Sequence, residues 1–215
     1  MNKVITSFAA GELFTDLLNI ALPSFYKYSI KYNYDLFIPT HNQVIDICKN
    51  YGWDHDRPIS WLKVPIIRYL LEKYDLVQWI DSDVVINKFD KDINAEFQNN
   101  HCIQSFVVHH DITEGNIPNC GIWALKKSAI PLLIDIWNQT DFIHHKWWEQ
   151  GANIKLMQDN GNYVKYSNIL PYEFNVHKND IRFNERDWEN DGIMLHATMW
   201  PDRTNKMKEW TARKI

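Results

Sequence analysis

Cysteine, glycine and proline are scarce in this chain of 215 residues, and long apolar runs are absent. The three cysteines, Cys48, Cys102 and Cys120, are far apart and show no CxxC spacing, which argues against a zinc cluster or a disulfide framework. A reducing compartment, the cytoplasm, is therefore expected. The N-terminal apolar stretch is too short for a signal peptide, and no apolar window approaches the roughly 18 residues of a membrane-spanning helix. We expect no membrane anchor in this chain.

The sequence also lacks the usual phosphate-binding loops and any surplus of basic residues. No GxGxxG follows the first predicted strand and no GxxxxGK[ST] occurs, so neither an ordinary dinucleotide site nor a P-loop is supported. The net charge of −4 argues against a nucleic-acid partner. Aromatic residues, in contrast, are plentiful, with ten each of Trp, Tyr and Phe. Aromatic rings fill cores, and they also stack on bases and sugar rings.

The most informative stretch is the apolar run 76–86, which is interrupted by Asp81 and Asp83. Side chains two residues apart on a strand point to the same side, so both carboxylates are expected at one spot. Apolar neighbours on both sides predict a strand buried on both faces. Two carboxylates there need a cation, and hard oxygen ligands favour Mn²⁺ or Mg²⁺. The alternative is a polar strand end without a metal.

Two other Asp-x-Asp triplets, 54–56 and 90–92, have polar surroundings. Both are predicted to be solvated loops.

Apolar periodicity predicts strands that alternate with helices. The predicted strands are 3–8, 35–39, 76–86, 102–109, 121–125, 163–167 and 192–196. The predicted helices are 14–32 with a bend or restart at Pro23, 61–73, 128–137, 150–160 and 203–215. This alternation indicates an α/β fold with a mostly parallel central sheet flanked by helices, which binds ligands at the carboxyl ends of its strands.

A series of segments along the chain is far more specific than the Asp pair alone. The segments are YNYDLF at 32–37, WLK at 61–63, RYLL at 68–71, YD at 74–75, WIDSD at 79–83, NCGIW at 119–123, WEQGA at 148–152 and LHAT at 195–198. Together they resemble the GT-A fold nucleotide-sugar glycosyltransferases, most closely the retaining, galactosyl- and mannosyltransferase-like branch. The short form also resembles glycosyltransferase domains of large chlorella viruses, which implies the host cytoplasm as location if the chain is viral.

The resemblance runs from residue 3 to about residue 206. It implies one Rossmann-like GT-A domain over residues 1–215, with a nucleotide-binding half at about 1–100 and an acceptor-side half at about 101–200.

The resemblance implies a metal site made of Asp81, Asp83 and His196, with Mn²⁺ or Mg²⁺ as cofactor. Taken without it, His196 is better explained as a partly buried structural histidine. The pairs His109-His110 and His144-His145 lie among polar residues and are predicted at surface or loop positions.

Donor-binding residues are implied at several points along the chain. Each has a structural alternative: a strand end with a core Phe, a turn, or a solvated helix face. Lys206 and Arg203 are both candidates for binding the anionic group of the donor. The implied donor-binding residues are Thr6, Ser7, Phe8, Lys63, Asp81, Ser82, Asn119 and Lys206.

Glu149 and Gln150 are the implied catalytic residues. They follow Trp147 and Trp148, and a carboxylate beside stacked sugar rings could stabilise positive charge at the anomeric carbon. The alternative is the N-terminus of a helix, where an acidic residue is favoured in any case.

The expected function is metal-dependent transfer of a hexose or deoxyhexose from a nucleoside diphosphate sugar, a UDP-sugar, to a glycan hydroxyl, with retention. Two alternatives remain. A sugar nucleotidyltransferase usually has a glycine-rich basic N-terminal loop, which Ala9-Ala10-Gly11 matches poorly. A non-catalytic carbohydrate-binding module would need aromatics but no metal site.

Overall fold

The computed structural model describes residues 1–97 and 101–213, in which helices cover both faces of a six-stranded sheet. The strands are β1 Lys3–Thr6, β2 Asp35–Phe37, β3 Leu76–Ile80, β4 Val84–Ile86, β5 Gln104–Asp111, β6 Gly115–Lys126, β7 Ser167–Ile169, β8 Val176–His177 and β9 Met194–His196. The α-helices are α1 Glu12–Tyr32, α2 His41–Asn50, α3 Lys63–Leu71, α4 Ile93–Glu96, α5 Ile130–Trp137, α6 Trp148–Asp159, α7 Gly161–Lys165, α8 Trp188–Asp191 and α9 Arg203–Ala212.

The large sheet has the strand order β2-β1-β3-β6-β5-β7. Three of its five strand pairs are parallel, β1 with β2, β1 with β3 and β5 with β7. Strand β6 runs antiparallel to both β3 and β5. The predicted α/β fold is confirmed, and its sheet is mixed because β6 returns next to β3 from the β5–β6 hairpin.

Alternation along the buried strands divides the core between the two faces of the sheet. Val4 and Val77 belong to a cluster with residues of α3, α5 and α6, whereas Ile5 and Ile80 belong to a cluster with residues of α1. All four side chains are fully buried. This double burial explains why β1 and β3 read as continuous apolar runs in the sequence.

The predicted single strand 76–86 is wrong, because the chain changes sheets at the Asp pair. Strand β3 pairs with β6 as far as Ile80, whereas β4 pairs with β9 from Val84 onward in a separate three-stranded sheet, β4-β9-β8. Asp81 and Asp83 therefore lie in the turn that joins the two sheets. The burial expected on both sides of the pair is present, since β3 and β4 are buried throughout.

Three other predicted elements need correction. Residues 163–165 are helical rather than extended and belong to α7. The prediction failed here because a short apolar run does not by itself distinguish a strand from a helix. Pro23 lies inside α1, which continues without interruption. Helix α9 ends at Ala212, and the last two residues of the predicted helix lie outside the described residues.

Within the described part of the chain, no helix is long and apolar enough to cross a membrane.

Asp92 corrects the prediction that the triplet 90–92 is a solvated loop. Its carboxylate accepts a hydrogen bond from the Tyr34 hydroxyl at 2.7 Å and from the backbone N–H of Asn94 at 3.0 Å. The Lys3 ammonium lies 3.2 Å from the same group. Asp92 thereby caps α4 and ties it to β1.

We expect Asp92→Ala to lower the free energy of unfolding by about 3 kcal/mol, because it leaves part-buried donors and a part-buried lysine unpaired. Asp90→Ala is the matched control, since Asp90 is exposed in the same triplet and its loss should cost at most about 0.5 kcal/mol. Urea unfolding measures both values. Equal values for the two variants would contradict the capping role.

Candidate functional site

A cavity of about 700 Å³ opens where β3 ends and the chain crosses to the small sheet. Its wall includes Asp81, Asp83 and His196, together with Glu149 from α6 and Arg203 from α9. Residues from distant parts of the chain therefore meet at the carboxyl end of a central strand, which is where α/β sheets bind ligands.

Asp81, Asp83 and His196 each offer one ligand atom, and these atoms all lie within 4.8 Å of one another. The register of the small sheet brings the histidine to this point, because Val84, next to Asp83, pairs with His196. Two carboxylate oxygens and an imidazole nitrogen form a donor set that suits Mn²⁺ or Mg²⁺. The predicted grouping of these three residues is thus present as a possible metal site.

A chain of hydrogen bonds fixes the tautomer of His196. The backbone N–H of Gly121 donates to Asn119 Oδ1 at 2.9 Å, so the Asn175 atom 2.8 Å from that oxygen is the Nδ2 donor. Asn175 Oδ1 then faces His196 Nδ1 at 3.0 Å, and Nδ1 must carry the proton. The lone pair of Nε2 is left for the ligand side, which is the usual role of a second hydrogen bond to a metal-binding histidine.

The contact between His196 and Asp83 requires either a proton or a metal cation between the two side chains. His196 Nε2 lies 3.2 Å from Asp83 Oδ1, and both residues are buried. Two electron pairs that face each other at this distance repel unless a proton or a metal cation lies between them. Burial by itself would raise the pKa of Asp83, but its contacts with the His196 imidazole and the Arg203 guanidinium outweigh burial and hold that pKa below its ordinary value. These residues fit a divalent metal.

Gly121 gives His196 and Asp81 the room to approach each other. A Cβ at this position would lie 2.5 Å from His196 Cε1, 2.9 Å from Asn119 Oδ1 and 3.0 Å from Asp81 Oδ2. Any larger residue would therefore displace the histidine or the carboxylate.

Lys63 lies at the centre of a second group of charged side chains in the site. Its ammonium lies 3.1 Å from Asp81 Oδ1 and 3.0 Å from Glu149 Oε1, and it also donates to the backbone carbonyl of Cys120 at 3.3 Å. Burial opposes the charge, but the two carboxylates raise the pKa of Lys63 above its ordinary value. Burial raises the pKa of Glu149, and the Lys63 ammonium opposes that rise. Lys63 is thus a buried cation rather than the solvated residue expected from a helix.

Some of the other predicted donor-binding residues line the cavity in the structure, and others do not. Phe8, Ser82 and Asn119 line the cavity. Thr6 and Ser7 are buried and do not contribute to its wall, and their hydroxyl oxygens have no hydrogen-bond partner among the described residues.

The two basic residues after the late histidine also differ. Arg203 lines the cavity and lies 3.2 Å from Asp83 Oδ2. Lys206 does not line it, because Glu189 holds its ammonium at 2.7 Å.

Glu149 and Gln150 both line the cavity from the first turn of α6. Gln150 Oε1 accepts a hydrogen bond from the backbone N–H of Cys120 at 3.0 Å, which fixes α6 against β6. Glu149 Oε2 is buried and has no hydrogen-bond partner in the described structure. This oxygen is thus the part of the Glu149 carboxylate that no contact in the described structure satisfies.

Sequence reasoning missed Asn175, His109 and His177. Asn175 is completely buried, and no pattern in the sequence marks it. His109 was expected at the surface, but it is only 4% exposed and its Nε2 donates to the Asn175 carbonyl at 3.0 Å. The signal for it was strand alternation, which places His109 on the same side of β5 as the buried Val107.

His109 and His177 predict a loss of stability in mild acid. Burial, followed by a neighbouring histidine, lowers the pKa of His109 from 6.5 to about 3 and that of His177 from 6.5 to about 4. The unfolded chain binds protons that the folded chain excludes, so stability is full above pH 6.5 and falls as the pH drops towards 4. At about pH 5 the expected loss is about 2 kcal/mol for each histidine.

Urea unfolding near neutral pH and near pH 5 measures this loss. His109→Gln retains a donor for the Asn175 carbonyl and should reduce the loss, whereas the exposed His144→Gln should leave it unchanged. The same loss in both variants would contradict the prediction.

Comparisons with known proteins place the fold among glycosyltransferases. A glycosyltransferase involved in the glycosylation of the major capsid of PBCV-1 is 14% identical, with a TM-score of 0.67 over 99% of this chain and 100% of that chain. Mouse xyloside xylosyltransferase 1 is 9% identical, with a TM-score of 0.58 over 92% and 97%. The glycosyltransferase GlyE of Streptococcus pneumoniae TIGR4 is 12% identical, with a TM-score of 0.57 over 98% of this chain and 60% of that chain.

No protein-family model matches the sequence, and the curated proteins contain no significant match. The likeness is therefore one of structure, and it agrees with the resemblance seen in the sequence motifs. The chain has the fold of the GT-A glycosyltransferases.

Proposed function

We propose that this chain is a metal-dependent glycosyltransferase that moves a hexose or deoxyhexose from a nucleoside diphosphate sugar, a UDP-sugar, to a hydroxyl of a glycan, with retention. The observation that carries the proposal is the convergence of Asp81, Asp83 and His196 on a cavity, in a fold shared with known glycosyltransferases. The cavity volume lies within the range of roughly 300–1,000 Å³ that is usual for small-molecule sites.

Asp81, Asp83 and His196 would hold Mn²⁺ or Mg²⁺. When bound, such an ion supplies Lewis-acid stabilisation of the negative charge on a departing diphosphate. Arg203, which now neutralises Asp83, is positioned to bind the same anionic group. The use of Lys206 for this purpose requires its release from Glu189.

Glu149 is the proposed catalytic carboxylate, with Gln150 beside it. Lys63 contacts Glu149 directly and opposes the rise of its pKa that burial causes, and the Oε2 atom without a hydrogen-bond partner is proposed to accept a proton from an acceptor hydroxyl or to stabilise positive charge at the anomeric carbon. Because Lys63 also contacts Asp81, it fixes the distance between the proposed metal ligand and the proposed catalytic residue.

Asn119 and Phe8 are proposed for the donor sugar and the base or ribose, with Ser82 next to them in the cavity wall. Thr6 and Ser7 are proposed to act through the backbone end of β1 rather than through their hydroxyls, since these are buried. We place the reaction in the cytoplasm, or the host cytoplasm if the chain is viral, and the three free, buried cysteines support a reducing compartment.

The two alternatives explain fewer observations. A binding module has no use for a buried lysine between two carboxylates or for three converging ligand atoms. A nucleotidyltransferase shares the need for a metal, but the segment after β1 lacks a basic glycine-rich loop.

We expect UDP to bind the wild-type protein in the presence of Mn²⁺, and the binding to be lost on addition of a chelator. Asp83→Asn should weaken the Mn²⁺-dependent binding at least about tenfold, because it removes a charged ligand atom. Calorimetric titration measures both effects. Screening of UDP-hexoses, UDP-deoxyhexoses and UDP-xylose for metal-dependent hydrolysis then identifies the donor.

Asp56→Asn is the matched control, because Asp56 belongs to an exposed Asp-x-Asp triplet outside the cavity. Its UDP binding should equal that of the wild type. If UDP does not bind with or without metal while the protein is folded, the UDP-sugar proposal is wrong.

The hydrogen bonds of Asn175 give a further prediction. Asn175→Leu removes the acceptor for His196 Nδ1, and we expect it to lower Mn²⁺ affinity about 10- to 100-fold. Asn175→Asp keeps that acceptor but loses the donor to Asn119, so it should retain most of the Mn²⁺ affinity. Electron paramagnetic resonance titration of Mn²⁺ measures both variants. Equal affinities in the two variants would contradict the role of Asn175 in orienting His196.

A further inference from the structure

Trp148 has an unusual backbone conformation for a large aromatic residue. It opens α6 with φ +42°, and apart from Asn33 it is the only non-glycine residue with positive φ among residues 1–97 and 101–213. A bulky side chain rarely adopts this conformation because its Cβ crowds the backbone. Such strain persists only where the surrounding structure enforces it, and it is concentrated at functional sites.

The segment before α6 enforces this conformation. Trp148 N–H donates to the His145 carbonyl at 3.0 Å, and Trp147 N–H donates to His145 Nδ1 at 3.2 Å. The His145 ring packs directly on Gly151, where a Cβ would lie 2.7 Å from Nδ1. The turn is thus fastened to the first turn of α6.

An ion pair fastens the same segment to the β5–β6 hairpin. Both carboxylate oxygens of Glu114 lie 2.8 Å from Lys146 Nζ, and both residues line the cavity. This contact is made two residues before Trp148 in the chain.

The effect of this arrangement is to expose the indole of Trp148. The side chain lies in the cavity wall and remains 43% exposed, although burial of an indole is strongly favourable. The next residue is Glu149, which is 3% exposed and paired with Lys63. An aromatic face is therefore held at the cavity one residue before the proposed catalytic carboxylate.

The charges around Trp148 favour an uncharged ligand. Lys146, two residues before Trp148, is neutralised by Glu114 and brings no free positive charge to this segment. The cations that suit a diphosphate, Lys63 and Arg203, lie against Asp81 and Asp83. Sugar rings present apolar C–H faces that stack on aromatic rings and hydroxyls that bond to carboxylates.

We propose that Trp148 is the stacking platform for an uncharged pyranose ring of the acceptor glycan. This inference rests on the proposed glycosyltransferase function and assigns its acceptor subsite. The strained turn presets the ring orientation, so that no ordering of a flexible side chain is needed when the acceptor binds.

The variant Trp148→Gly distinguishes a stacking role of Trp148 from a packing role. Glycine adopts positive φ without strain, so we expect Tm to rise by a few degrees while acceptor binding is lost. A tryptophan that served mainly as packing would instead lower Tm on removal. Trp148→Phe should bind about tenfold more weakly than wild type, and Tyr26→Ala, at an aromatic that is 61% exposed on α1, should bind normally.

Saturation-transfer NMR with methyl glucoside, galactoside, mannoside and xyloside, in the presence of UDP and diamagnetic Mg²⁺, measures acceptor binding. The expected result is saturation transfer from wild type and from Tyr26→Ala to at least one glycoside, and none from Trp148→Gly. If no glycoside binds wild type although UDP does, or if Trp148→Gly loses UDP affinity or Tm, the platform is wrong while the transferase proposal stands. Absence of UDP binding in wild type would overturn the transferase proposal itself.

Discussion

The ammonium of Lys63 is the interaction on which the candidate site depends. It is buried and contacts the part-buried carboxylate of Asp81, in the turn after β3, and the buried carboxylate of Glu149, in the first turn of α6. Without a cation at this point, Glu149 would be a buried carboxylate with no positive partner, and burial would favour its protonated form. The position of Lys63 at the start of α3 therefore decides that these two elements can meet at all.

A second group of charges meets on the other side of Asp81. Asp83 has His196 and Arg203 as neighbours, so Asp81, Asp83 and Glu149 each have a basic partner from a different element. The uncharged amides of Asn119 and Asn175 connect this group to the β6 backbone. The site is thus a network in which the side chains orient one another through hydrogen bonds and ion pairs.

The sequence was sufficient for the fold class and for the grouping of the Asp pair with His196, although the local geometry around the pair differs from the prediction. Apolar runs around Asp81 and Asp83 correctly indicated burial, but periodicity does not reveal that two short strands belong to different sheets. The order of the sequence motifs identified His196 as a candidate ligand. This residue lies 113 residues beyond Asp83 and reaches it through the pairing of β4 with β9. Asn175 and the backbone of Trp148 left no trace in the pattern, because their roles depend on tertiary hydrogen bonds and on a strained turn.

The location of Asp81 and Asp83 between two sheets has a mechanical consequence. The small sheet β4-β9-β8 is connected to the large one through this turn, and His196 belongs to the small sheet. An ion bound by all three residues would link the turn between the two sheets to strand β9 of the small sheet. It would therefore oppose local unfolding of the small sheet. Binding of the ion would then stabilise the folded C-terminal third of the chain, and local unfolding there would release the ion.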